Sequence, residues 1–175
     1  MQPVLIVVHP GSALGSADFN LGRPDARAAR EALIQELDQW EGPLLIIHGT
    51  LSDELYRYPQ LNQALRGTQA RNAQNGFAAH ERYGCDENAS NANQEAAIQA
   101  WVAQEQWDPH TTLFRVTGAW YHPEDGGGCV GSVIDRLKAL GYRTEVSPSV
   151  VKMPCDEIDA TPKTDPPLRR RAPRR

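Results

Sequence analysis

The chain has 175 residues, 40% of them hydrophobic and 23% charged, with a formal net charge of −4. That size and composition fit one folded domain with a real core and argue against a disordered chain. No apolar run approaches the roughly 20 residues that span a bilayer, and three cysteines (Cys85, Cys129, Cys155) with no CxxC pair argue against a disulfide framework or a zinc knuckle.

In chain order, Val4–Val8 is a continuous apolar run ended by His9-Pro10-Gly11, as in a central strand of a mostly parallel sheet. The opening MQPVLIVVHPG lacks the basic start of a signal peptide, so a cytoplasmic location is expected. Pro24 and Asp25 open a helix to about Trp40, and Gly42-Pro43 ends it. Leu44–Ile47 is the next strand, stopped by His48-Gly49. Thr50 or Ser52 caps a helix that Pro59 should break or kink. Residues 67–92 are polar and read as an insert, a lid or a partner surface. A helix from Ser90 or Asn91 runs through Trp107. Leu113–Val116 is a strand, Gly128–Leu140 a helix closed by Gly141, and Tyr142–Val146 a strand that could continue to Val150-Val151.

This alternation predicts a three-layer, Rossmann-like α/β domain over residues 1–153, with a mainly parallel sheet of four to five strands. Residues 154–175, rich in proline and arginine, read as a disordered basic tail. From Thr161 onward six basic residues face one acid, Asp165, so the tail carries +5 and residues 1–160 carry −9. An acidic body argues against a broad nucleic-acid face, whereas the tail suits an acidic partner or nucleic acid.

In open parallel sheets ligands bind beyond the carboxyl ends of the strands. Three of the five histidines, His9, His48 and His122, stand at or just past such ends. The sharpest feature lies beside them: a glycine-rich turn delivers Cys129 to the start of a helix, where the partial positive charge favours a thiolate. Three readings follow. Cys129 is a nucleophile, with His122 or His9 as general base, Asp125 orienting it, and the amides of Gly126, Gly127 and Gly128 facing an oxyanion. Alternatively, the three histidines hold a metal such as zinc with Asp53, Glu124 or Asp125. Or the glycine turns bind an anion, although neither HPGSALGS nor DGGGCVGS is a P-loop. Ser12, His48, Gly127, Gly128 and Trp120 are the candidate substrate-binding residues, and no cofactor or resident metal is expected.

Residues 113–146 resemble the cysteine-bearing stretch of the isochorismatase-like cysteine hydrolases, through Val116-Thr117-Gly118, Cys129-Val130, Asp135 and Gly141-Tyr142. The resemblance implies an amidase-like hydrolase with Cys129 as nucleophile. The family's strand-one aspartate is replaced here by His9, with Asp18 farther on. Its lysine has no counterpart, since the first lysine is Lys138; Arg82 is the positive group in that half of the chain. The expected function is therefore a cysteine-dependent hydrolase of a small amide or acyl substrate. The alternative is a catalytically inactive binding or adaptor domain acting through 67–92 and the basic tail. An oligomer is compatible with either, and neither needs a membrane.

Overall fold

The computed structural model describes residues 2–11, 24–49, 58–82 and 90–152. Five strands, β1 (Gln2–Val8), β2 (Leu44–Ile47), β3 (Ala79–Arg82), β4 (Thr112–Gly118) and β5 (Arg143–Val146), form one sheet. All of its pairings are parallel, and the order is β3-β2-β1-β4-β5. Helices α1 (Pro24–Gln39), α2 (Pro59–Asn75), α3 (Ser90–Glu105) and α4 (Gly128–Ala139) connect them. The three-layer, Rossmann-like fold expected from the sequence is the fold observed.

The central strand explains the layers. Leu5 and Val7 of β1 pack with Leu33, Leu37, Leu61 and Leu65 of α1 and α2. Val4, Ile6 and Val8 pack on the other face with Ile98, Trp101, Val133 and Leu137 of α3 and α4. All five strand residues are fully buried, which is why their run is continuously apolar. Each such side chain contributes about 1.5–3 kcal/mol by leaving water. On the second face Trp101 meets Trp107 edge-on at 4.5 Å, and Phe114 meets Tyr142 at 5.0 Å. Trp101 and Trp107 also meet Phe114, at 6.1 and 5.5 Å, and these contacts tie α3 to β4.

Several local expectations need correction. Pro59 starts α2 instead of breaking a helix, because a first-turn proline gives up an amide that has no partner there anyway. The proposed helix start at residues 50–57 lies outside the described residues. Residues 67–82, expected as part of a polar insert, are the second half of α2 and the edge strand β3. The helix looked polar because its buried side works on backbone. Thr68 and Arg71 both donate to the Leu37 carbonyl, and Asn72 donates to the Gly42 carbonyl. These are the orphan acceptors at the end of α1 and just beyond it. The last strand stops at Val146 and does not continue to Val150-Val151. Residues 153–175, including the basic tail, lie outside the described residues, as does Cys85. Among the described residues no helix is long and apolar enough to cross a membrane.

Candidate functional site at the carboxyl edge of the sheet

The strand order reverses between β1 and β4, so their carboxyl ends flank the switch point where such sheets bind ligands. His9 follows β1 and His48 follows β2. The ladder continues through them: His9 N–H donates to the Ile47 carbonyl at 2.7 Å, and His48 N–H to the Arg82 carbonyl at 2.8 Å. Both side chains are buried. Residue 9 has φ 46°, a left-handed turn that takes the chain out of the sheet. His48 Nε2 lies 3.2 Å from Glu81 Oε1, and Arg66 Nη1 lies 2.6 Å from the same oxygen. Burial alone would raise the Glu81 carboxyl. The hydrogen bonds from His48 and Arg66, with their charges, outweigh it and hold the group below its ordinary value.

Past β4 the chain builds a tight loop on the start of α4. Gly118 passes so close to β1 that a Cβ there would sit 2.0 Å from the Val8 carbonyl oxygen. The Ala119–Trp120 peptide is cis. Trp120 then packs against the α1/α2 core and Tyr121 against the α3/α4 core, so the loop straddles the sheet edge. The peptide group between them is bonded on both sides. Its carbonyl accepts from Val130 N–H at 3.0 Å, and its N–H donates to the Val151 carbonyl at 3.0 Å. Tyr121 and Lys152 form an isolated parallel bridge.

His122 is buried, and its backbone closes the turn. Its N–H donates to Gly127 at 3.2 Å, and its carbonyl accepts from Gly126 at 2.8 Å. Asp125 Oδ1 accepts from Gly127 N–H at 2.7 Å. A Cβ on Gly128 would come within 3.1 Å of His122 Cδ2, so the imidazole lies against the first turn of α4. Cys129, the second residue of that helix, is half-buried, carries no disulfide and packs against the α3/α4 core.

The structure thus gathers Trp120, His122, Asp125, Gly127, Gly128 and Cys129 into one loop and helix start. His9 and His48 stand at the ends of β1 and β2, with His48 paired to Glu81. Ser12, Asp18 and Asp53 lie outside the described residues. One expected role narrows. Of the three glycine amides assigned to an oxyanion, Gly126 and Gly127 donate within the turn. Only the Gly128 N–H lacks a partner among the described residues. Asp125 is exposed, and its Oδ1 shapes the turn. Among the described residues no group of three or more histidine, cysteine, aspartate or glutamate side chains is placed to hold a metal ion. A groove of about 640 Å³ runs from Gly127 and Gly128 along α4, past Ser132 and Arg136, with Gln99 of α3 on its other wall.

Two polar clusters had no signal in the sequence. One is Arg66–Glu81–His48. The other is Glu36, whose Oε2 accepts from Ser147 and Ser149, each at 2.6 Å, while Ser149 meets Thr117 at 2.7 Å. Their members come from distant segments; 111 residues separate Glu36 from Ser147. Family models, curated proteins and solved structures give no match to this chain.

Proposed function

We propose that the chain is a cysteine-dependent hydrolase of a small amide or acyl substrate, related to the isochorismatase-like cysteine hydrolases, with Cys129 as nucleophile. The observation that carries this reading is the imidazole of His122 lying against the turn of α4 that holds Cys129. The helix start favours the thiolate. The thiolate attacks the substrate carbonyl, a C–S bond forms, and the developing oxyanion faces the Gly128 N–H. His122 passes a proton to the leaving amine as the C–N bond breaks, then takes one from the water that cleaves the thioester. His9 is the second candidate for this proton transfer. Asp125 holds the Gly127 turn, and the groove beside Gly128 accommodates the rest of the substrate. A reducing, cytoplasmic setting suits such a thiol.

Labelling Cys129 with a thiol probe across pH tests the reading. The expected midpoint lies below the value of about 8.5 of an ordinary thiol, and His122→Ala moves it back up. A Cys129 that labels with the midpoint and rate of a model thiol removes the proposal.

The split between an acidic body of −9 and a tail of +5 favours a second reading, a binding domain that uses its tail on an acidic partner or nucleic acid. Residues 67–82 no longer serve it as an insert. Deleting residues 161–175 and measuring nucleic-acid retention at two salt concentrations decides it; unchanged retention counts against it.

A further inference from the structure

We infer that the groove beside Gly128 selects amides that carry a carboxylate, the half-amides of short dicarboxylic acids, and that Arg136 binds that carboxylate. The groove's volume of about 640 Å³ falls within the roughly 300–1,000 Å³ of small-molecule sites. That is far more than one amide group needs, so the groove has room to select the rest of the molecule.

The turn of α4 sets its walls. At about 100° per residue, Ser132 and Ala139 fall on nearly one line, with Arg136 about 50° to one side and Asp135 about 50° to the other. All four line the groove. Val130, Val133 and Leu137 occupy the far side of the helix, in the core. The floor is therefore small and uncharged, and the two walls carry opposite charges. Asp135 also lines a smaller cavity of about 180 Å³ with Lys138, Thr144 and Glu145, so its wall is the one toward β5. Arg136 stands on the other wall, toward Gln99 of α3. Lys138 belongs to the smaller cavity, which leaves Arg136 as the cation lining this groove among the described residues.

Arg136 is half-buried, and its Nε is shielded from solvent. A guanidinium so placed holds a carboxylate by two parallel bonds, and partial exclusion of water strengthens them. It has five N–H donors, so it can do this while keeping contacts within the protein. The spacing sets the ligand's length. Gly128 and Arg136 are eight residues apart, about 12 Å along the axis, and a helical side chain leans back toward the N-terminus. A hydrogen bond of about 2.9 Å at each end leaves about 6 Å or less for the chain, which two to four methylene groups fill. The amide end of this inference rests on the hydrolase reading; the carboxylate end does not.

Isothermal titration of glutaramate, and of uncharged pentanamide as its match, into the full chain carrying Cys129→Ser tests this without turnover. Glutaramate should bind about 10–100-fold more tightly than pentanamide, the worth of hydrogen bonds to a charged group. Arg136→Gln should erase that preference. Arg136→Lys should restore only part of it, because an ammonium cannot form the fork. Equal binding of the two amides, no binding of glutaramate, or a preference that survives Arg136→Gln overturns the inference. The comparison of two ligands on one protein decides the matter even if Arg136→Gln fails to fold. Incubating the wild-type chain with each amide separates the two ideas. Preferential binding of glutaramate without release of ammonia keeps the groove and removes the hydrolase; pentanamide hydrolysed as fast as glutaramate does the reverse.

Discussion

His48 and Glu81 meet at 3.2 Å, Nε2 to Oε1, although 33 residues separate them in the chain. Because Arg66 also donates to that oxygen and the carboxyl is held below its ordinary value, Glu81 is ionised and His48 presents Nε2 as the N–H. A carboxyl whose folded value lies below the unfolded one, near 4.5, stabilises the fold above that pH. The contribution is lost as pH falls through the lowered value. Glu81→Gln should therefore cost about 1–2 kcal/mol at neutral pH. The gap from wild type should close below pH 4.5, the unfolded value. Urea midpoints for both proteins over that range are the measurement; a gap that stays constant into acid counts against the pairing.

The same pair shows why some of the fold was legible and some was not. The runs Val4–Val8 and Leu44–Ile47 are buried on both faces, and burial on both faces writes itself into composition. Cys129 at a helix start was equally readable, since Gly128 and Gly141 punctuate that helix. Strand β3, Ala-His-Glu-Arg, is half-buried at the sheet edge and carries its charges into pairs. His80 bonds Glu105 at 2.7 Å, and Glu81 bonds His48. Nothing apolar marks it as a strand, because its partners come from β2, α2 and α3. The oxyanion assignment narrows to Gly128 for a related reason. Which glycine amides are already engaged depends on how the turn folds, and Asp125 and His122 settle that at short range.

Glu36 anchors the segment that bridges the Cys129 loop. Its carboxylate takes both serine hydroxyls, and Arg115 approaches its other oxygen at 3.5 Å. Ser147, Ser149 and Thr117 are buried, so removing the carboxylate strands several donors at once. Glu36→Ala should cost about 2–3 kcal/mol. It should also speed amide hydrogen exchange at Tyr121 and Val151, whose bonds hold 150–152 against the loop. Unchanged exchange at those two amides would show that the anchor and the loop are independent.

Gly118→Ala places a methyl group against backbone that cannot yield. The site has φ +102°, and the new carbon would lie 2.0 Å from Val8 O and 2.6 Å from Val8 N. Either the β1–β4 pairing opens or the turn is rebuilt, and both cost far more than an ordinary surface change. A loss of about 4 kcal/mol or more, or failure to fold, is expected. Thermal unfolding reads it directly, and a melting temperature near wild type would mean the two strands are farther apart.

Gly131→Ala sets two effects of opposite sign against each other. Inside a helix, alanine is favoured over glycine by about 1 kcal/mol. At this position the added carbon would sit 1.8 Å from the Gly126 carbonyl oxygen, well inside contact distance. The helix cannot move, because Val130, Val133 and Leu137 fix it to the core. The loop must therefore lift away from α4, at a cost of about 1–3 kcal/mol, so the clash outweighs the propensity gain. Lifting the loop also carries the His122 imidazole away from the first turn of α4. The variant should thus be less stable than wild type and should label at Cys129 with a midpoint nearer an ordinary thiol. Ser132→Ala, one residue on and in the open groove, should do neither. A Gly131→Ala protein that melts above wild type would show that helix propensity decides this position, and that the loop does not rest on α4.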